Sequence, residues 1–227
     1  MRTKPPVYLI DAPMYVFRAY YAIPASLTDP QGRPANAVYG YTRFLCALLG
    51  DERPRYCAAA FDESLTSSFR NQWYADYKAN RVEPPQELAD QFDACKRVTR
   101  ALGVRTFVSP RYEADDLIAT AARRAREAGH PVIILSRDKD LAQILEPGDR
   151  LWDGAEGPRM SPHMVEEKLG VRPDQVPDYL ALAGDPVDNI PGVPGIGPKA
   201  AAALLSALGS LDGIYADLDA VARLGIR

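Results

Sequence analysis

The chain has 227 residues, 47% of them hydrophobic, and carries 27 Lys and Arg against 30 Asp and Glu for a formal net charge of −3. That is enough apolar material for one large α/β domain, or one such domain with a helical appendix, and no apolar run approaches the ~18 residues of a membrane span. The first residues lead directly into a strand pattern, which predicts no secretory signal. Three cysteines (Cys46, Cys57 and Cys95) at no metal or redox spacing predict a reduced, cytoplasmic setting.

Taken in chain order, Val7–Asp11 (VYLID) is a short apolar run ending in an acid, the pattern of a buried parallel strand. Residues 36–49 carry helical spacing in Val38, Tyr41, Leu45 and Leu48. Tyr56–Asp62 (YCAAAFD) is a second apolar strand ending in an acid. Residues 63–83 read as irregular, too polar and aromatic to be core. A helix over 84–102 opens on proline, and a short strand over 104–108 follows it. Residues 113–128 predict a strong helix, and 131–136 (PVIILS) a further buried strand, after which come Asp138 and Asp140. Strands alternating with helices imply a mostly parallel sheet, with ligands expected beyond the carboxyl ends of its strands.

After Asp153 the pattern changes to short helices over 161–169, 173–183, 198–208 and 211–218, separated by Pro and Gly. The expected organisation is an α/β core over 1–157, including the segment at about 63–83, and a helical lobe over 158–227. There is no internal repeat and no low-complexity tract.

The acids have ordinary readings. Glu113, Asp115 and Asp116 open a helix, where negative charge suits the macrodipole. Asp138 suits a helix cap, and Asp185 and Asp188 suit a polar loop. Their combination points further. Asp11, Asp62, Asp138 and Asp140 follow three separate predicted strands, so the fold should gather them at one edge. Several buried anions need cations. Carboxylates without His or Cys suit Mg²⁺ or Mn²⁺ rather than zinc, and His130 and His163 lie in turn or helix-start positions. Setting nine such carboxylates aside leaves 21 acids against 27 Lys and Arg, an excess of six positive charges compatible with a polyanionic partner. In residues 184–203 (GDPVDNIPGVPGIGPKAAAA), two of these acids precede a Gly-rich hairpin that opens a helix. Gly192, Gly195 and Gly197 permit close backbone approach, and amides at a helix N-terminus favour phosphate.

Ordered blocks over almost the whole chain resemble the 5′-nuclease, or flap-endonuclease, superfamily, above all the 5′-nuclease domain of bacterial DNA polymerase I and its free-standing relatives. The blocks are YLIDAPMYVFRAYYAIP, AVYGYTRFL, AAFDESLTSSFR, YKANR, YEADDLIATAA, LSRDKDLAQIL and LALAGDPVDNIPGVPGIGPKAAAALL. The resemblance implies a PIN-like α/β core with a helix–three-turn–helix lobe. It implies that Asp11, Asp62, Glu113 and Asp115 surround one divalent ion and that Asp138, Asp140 and Asp185 hold a second, with Asp116 and Asp188 nearby or acting through water. It implies a helical arch after the second strand, where Arg70, Lys78 and Arg81 act at the scissile phosphate and Tyr77, with Phe69, Trp73 and Tyr74, meets unpaired bases. The ordinary reading of Trp73 and Tyr77, four apart, is packing of a short helix. Arg18 and Tyr20 resemble residues near the 5′ end of the substrate, or else pack the first loop. Gly195, Gly197 and Lys199 are implied to grip the duplex backbone, and the carbonyls of Gly192, Val193 and Ile196 to hold K⁺.

The implied activity is metal-dependent 5′-3′ exonuclease and 5′-flap endonuclease cleavage of flap, nicked, gapped or frayed DNA by a monomer associated with the nucleoid. A non-catalytic branched-DNA-binding protein of the same fold and a PIN-like ribonuclease are the alternatives. Relatives continue beyond the position of Arg227 with further helices, and the final GIR resembles the start of that continuation.

Overall fold

Val7–Asp11, apolar on both faces, forms the central strand β1, with Tyr8, Leu9 and Ile10 buried. The computed structural model describes residues 4–63, 68–82, 84–154 and 157–225. The chain clusters into two compact units. The first comprises Met1–Phe69, Val82–Arg137 and Trp152–Pro158, and the second Arg70–Arg81, Asp138–Leu151 and Arg159–Arg227.

In the first unit, β1 is followed by helices α1 (Ala12–Ala22) and α2 (Asn36–Glu52), strand β2 (Tyr56–Asp62), helix α3 (Gln86–Ala101), strand β3 (Arg105–Ser109), helix α4 (Ala114–Glu127) and strand β4 (Val132–Leu135). β1 pairs in parallel with β2 and β4, and β2 pairs in parallel with β3. The sheet order is β3-β2-β1-β4-β5, with β5 (Arg150–Trp152) containing the division between the units. Asp11 registers with Ala60, so Asp11 and Asp62 both close their strands at the same carboxyl edge.

Alternation within β1 divides the core. Tyr8 and Ile10, with Phe61, Ile133 and Leu135, pack against α1, α2 and α3. Val7 and Leu9 share the opposite side with Leu117 and Ala121 of α4. Gly40 sets how closely α1 and α2 approach: a Cβ there would lie 2.6 Å from the Ala19 methyl. The α2 N-terminus is satisfied from α3, where buried Gln91 accepts the Ala37 N–H at 2.8 Å.

Residues 12–22, to which the sequence pattern assigned no element, are helical, so Arg18 and Tyr20 lie on a helix and not in a first loop. Pro13 sits in the first turn, and Ala12, Tyr15, Val16 and Ala19 present a buried helical stripe that the surrounding aromatic residues disguise.

The second unit holds α5 (Pro162–Leu169), α6 (Val176–Ala183), α7 (Pro198–Leu208), α8 (Leu211–Ala216) and α9 (Leu218–Arg223). The predicted helix over 173–183 begins as a 3₁₀ turn at Pro173–Gln175 before α6. The predicted helix over 211–218 stops at Ala216, because Asp217 caps the next helix by accepting the Ala220 N–H at 2.8 Å. Among the described residues of 63–83 there is no α-helix: Phe69–Gln72 is 3₁₀ and the remainder is turns. Lys78 lies at φ +56°, a left-handed conformation that no α-helix propagates. Positions 64–67 and 83 of the expected arch, and the final two residues of GIR, lie outside the described residues. No described helix is long and apolar enough to cross a membrane.

Candidate functional site

The five candidate acids of the first unit each take part in a hydrogen bond. Asp11 Oδ2 accepts from the Ser136 hydroxyl at 2.6 Å, just beyond the end of β4. Asp62 Oδ1 accepts from the Ala114 N–H at 2.7 Å, so the first turn of α4 supports the charge at the end of β2. Glu113 and Asp116 form a reciprocal capping box, with the Glu113 N–H donating to Asp116 Oδ2 at 3.0 Å. Asp115 Oδ1 accepts the Asp116 N–H at 2.8 Å. The ordinary capping roles of these acids are therefore realised, and two strand ends and one helix start carry five carboxylates.

The second unit concentrates charge differently. Asp140, Asp185 and Asp188 bring carboxylate oxygens within 4.8 Å of one another. Among the described residues no other three acids approach so closely, including Asp11, Asp62, Glu113 and Asp115. Asp138 stands outside the cluster, turning Oδ1 to the Asp140 N–H at 2.9 Å as the cap of a 3₁₀ turn, Lys139–Ile144. Asp185 is only 4% exposed and forms an isolated antiparallel bridge with Ile190. Its Oδ1 is 3.4 Å from the Lys139 ammonium. Asp140 Oδ1 is buried without a hydrogen-bond partner. Burial, then the charges of Asp138 and Asp185, push the Asp140 carboxyl up to about 7, with Lys139 opposing. An orphaned buried oxygen among hard carboxylate donors fits a divalent cation of the Mg²⁺ type, which would remove both the desolvation cost and the mutual repulsion.

Asp188 also receives three groups from residues 70–81. The Tyr77 hydroxyl donates to it at 3.1 Å, Arg81 Nη2 at 2.8 Å, and Lys78 Nζ stands 3.9 Å away. The same two stretches are tied along the backbone. The Lys78 N–H donates to the Asp188 carbonyl at 3.1 Å, the Asn80 amide to the Pro186 carbonyl at 2.8 Å, and the Asn189 amide to the Asp76 carbonyl at 2.8 Å.

The two aromatics grouped by sequence separate here. Trp73 is 80% exposed, whereas Tyr77, expected to meet unpaired bases, is 6% exposed with the Lys78 ammonium 4.8 Å and the Arg70 guanidinium 5.8 Å from its ring centre. Tyr77 packs, but in a run of turns and not on a short helix with Trp73, and its hydroxyl serves Asp188. Nothing periodic in the sequence marks that pair, nor Asn80, Asn189 or Ser136, because each acts on a residue about 100 or more positions away. Arg18 is exposed on α1 and borders a groove of about 570 Å³ with Tyr15, Phe44 and Trp152. Tyr20 donates its hydroxyl to Glu87 at 2.7 Å.

In the hairpin, Gly184 (φ +80°) and Gly192 (φ +67°) pass so closely that a Cβ on Gly192 would lie 2.8 Å from the Gly184 Cα. Gly195 is also left-handed, at φ +85°. Gly197 is the extended N-cap of α7 and supplies no side-chain cap, leaving first-turn amides beside exposed Lys199. The Val193 N–H donates to the Leu182 carbonyl at 2.9 Å, and the Val193 carbonyl accepts the Ile196 N–H at 2.9 Å.

Residues 6–170 match the family described as 5′-3′ exonuclease, N-terminal resolvase-like domain, and residues 171–226 match 5′-3′ exonuclease, C-terminal SAM fold. DNA polymerase I of Mycobacterium bovis is 44% identical over 225 residues, covering 97% of this chain, which spans 25% of that protein. The 5′-3′ exonuclease of Aquifex aeolicus is 38% identical over 208 residues, covering 92% of this chain and 71% of its own length. A bacteriophage T5 5′-exonuclease structure shares the fold at a TM-score of 0.74 and 22% identity, over 94% of this chain and 79% of that one. Two contiguous family matches and the extended identity lead to one conclusion: the chain belongs to the 5′-3′ exonuclease family.

Proposed function

We propose that this chain is a divalent-metal-dependent 5′ nuclease that hydrolyses DNA phosphodiesters near junctions of single strand and duplex, leaving 5′-phosphate and 3′-hydroxyl ends. The observation that carries the reading is the carboxylate cluster of Asp140, Asp185 and Asp188, with its orphaned buried oxygen and Lys78 and Arg81 reaching the same Asp188. The name of the Aquifex relative, a 5′-3′ exonuclease, supports the same reaction class. A T5 relative is described as a flap endonuclease bound to DNA and metal ions, which supports the substrate class.

In this reading Asp140, Asp185 and Asp188, with Asp138 outside them, hold one divalent ion, and Asp11, Asp62, Glu113 and Asp115, with Asp116 beside them, hold another. Mg²⁺ or Mn²⁺, when bound, supplies stabilisation of the attacking and leaving oxygens of an in-line displacement. Lys78 and Arg81 neutralise charge developing on the phosphate, with Arg70 supporting them across the Tyr77 ring. Exposed Trp73 stacks on an unpaired base, and Arg18 lies toward the 5′ strand. The α7 first-turn amides, Gly195, Gly197 and Lys199 take duplex phosphates without reading sequence. The carbonyls of Gly192, Val193 and Ile196 hold K⁺. The protein acts as a monomer on nucleoid DNA in the cytoplasm.

The test is incubation of the purified chain with a 5′-flap duplex and Mg²⁺ or Mn²⁺. Cutting near the junction that stops with EDTA is expected. A substrate left intact with both metals at ordinary salt refutes the enzyme reading, and equal cutting of a matched RNA flap refutes the DNA preference.

A further inference from the structure

The bonds between residues 70–81 and residues 185–190 have a consequence beyond holding the loops in place. Asp188 belongs to the carboxylate cluster, yet its oxygens are also directed to Arg81 at 2.8 Å, Tyr77 at 3.1 Å and Lys78 at 3.9 Å. One carboxylate therefore faces both the proposed cation and the two cations proposed for the phosphate. Its backbone is fixed from both sides, since its own carbonyl accepts the Lys78 N–H at 3.1 Å. The neighbouring Asn189, at φ +59°, holds the Asp76 carbonyl at 2.8 Å.

We infer that Asp188 is a shared ligand that couples divalent-cation binding to the availability of Lys78 and Arg81, with Tyr77 as the positioning residue that holds its carboxylate between the two. Without a divalent cation, Asp188 neutralises Arg81 and Lys78 and stands in for the phosphate they are to receive. A cation at Asp140 and Asp185 draws on the same carboxylate, weakening its hold on the guanidinium and ammonium and leaving them for phosphate. The linkage is reciprocal: a phosphate that takes Arg81 frees Asp188 for the cation. Tyr77 suits the positioning role because its ring is buried and flanked by Arg70 and Lys78, so its hydroxyl is held in place. Tyr77 touches the carboxylate, not the substrate.

The inference rests on the proposed cation site, and it is tested by Mn²⁺ binding alone. Electron paramagnetic resonance titrations of the full chain, without DNA and at pH 8, compare wild type with Arg81→Gln, Tyr77→Phe, Asp188→Asn and the Arg81→Gln/Asp188→Asn double variant. Freeing Asp188 from Arg81 is expected to tighten Mn²⁺ binding by about fivefold or more. Tyr77→Phe gives a smaller change in the same direction. In the Asp188→Asn background the Arg81→Gln effect disappears, which separates a shared ligand from the general loss of a nearby positive charge. Arg81→Lys, which keeps the charge and loses the planar fork, gives an intermediate shift and serves if circular dichroism finds Arg81→Gln misfolded. Unchanged Mn²⁺ affinity in Arg81→Gln, or an equal effect with and without Asp188, overturns the coupling while leaving the nuclease reading intact. Absence of stoichiometric Mn²⁺ binding by wild type overturns both.

Discussion

The acids at the sheet edge and the acids of the second unit solve the same electrostatic problem in opposite ways. Asp11 and Asp62 end buried strands, and each accepts a hydrogen bond at 2.6–2.7 Å from a hydroxyl or a helix amide. Glu113 and Asp116 cap each other's backbone. These carboxylates are individually satisfied by the fold, so their burial is tolerable whatever else they bind. Asp140, Asp185 and Asp188 crowd within 4.8 Å, one oxygen of Asp140 has no partner, and the remaining charge is met by Lys139, Lys78 and Arg81. An acid useful to the fold need not reveal a cation site. A cluster held together against its own repulsion is the better candidate, and under the proposed function it would make the second unit the more cation-dependent region.

The sharpest way to break this contrast is to empty the crowded cluster. Asp185→Ala, and separately Asp140→Ala, should reduce flap cleavage to background while far-ultraviolet circular dichroism and DNA affinity persist. Loss of fold in both variants would mean that these acids are structural after all. Next in size, Arg81→Ala is expected to lower the cleavage rate by about 10²–10³-fold, the scale of one well-placed group stabilising developing charge. Single-turnover kinetics check this, and a wild-type rate would remove Arg81 from the chemistry.

Proton linkage separates the two regions further. Asp140 is shifted upward from 3.8 to about 7, so the folded state holds its proton more tightly than the unfolded chain. Its contribution to stability is complete below pH 4 and is lost as pH rises towards and through 7. In EDTA, Asp140→Asn should therefore raise Tm at pH 8 by a few degrees and change it little at pH 4, and saturating Mg²⁺ should narrow the pH 8 difference. Asp62→Asn, which weakens the acceptor for a helix amide, should instead lower Tm at pH 8. Equal responses from the two variants would erase the distinction. The smallest effect belongs to the hairpin. Lys199→Ala should weaken duplex binding alike for unrelated sequences and reduce the salt slope by about 1, measured by anisotropy between low and moderate salt.

Much of the frame was legible in the sequence because burial on both faces writes strands as continuous apolar runs. VYLID, YCAAAFD and PVIILS become β1, β2 and β4 almost to the residue. β5 spans only Arg150–Trp152, too short for any period to register. α1 was hidden because its buried Tyr15 and Val16 sit among further aromatics, of which Phe17 and Tyr20 are partly buried and Tyr21 is exposed, so no clean apolar stripe stands out. The acids were legible as residues, since their types and their places after strands are properties of the chain. Their division of labour was not, because it depends on pairs such as Tyr77 with Asp188 and Ser136 with Asp11, 111 and 125 positions apart. Among the described residues of 63–83 the backbone is 3₁₀ and turns rather than α-helix, and Lys78 takes a left-handed conformation from which its N–H reaches the Asp188 carbonyl.

The most direct test of the account is anomalous diffraction from crystals of this chain soaked in Mn²⁺. The account predicts a peak ligated by Asp140, Asp185 and Asp188, with a second among Asp11, Asp62, Glu113 and Asp115. Manganese density at neither set of carboxylates would contradict it.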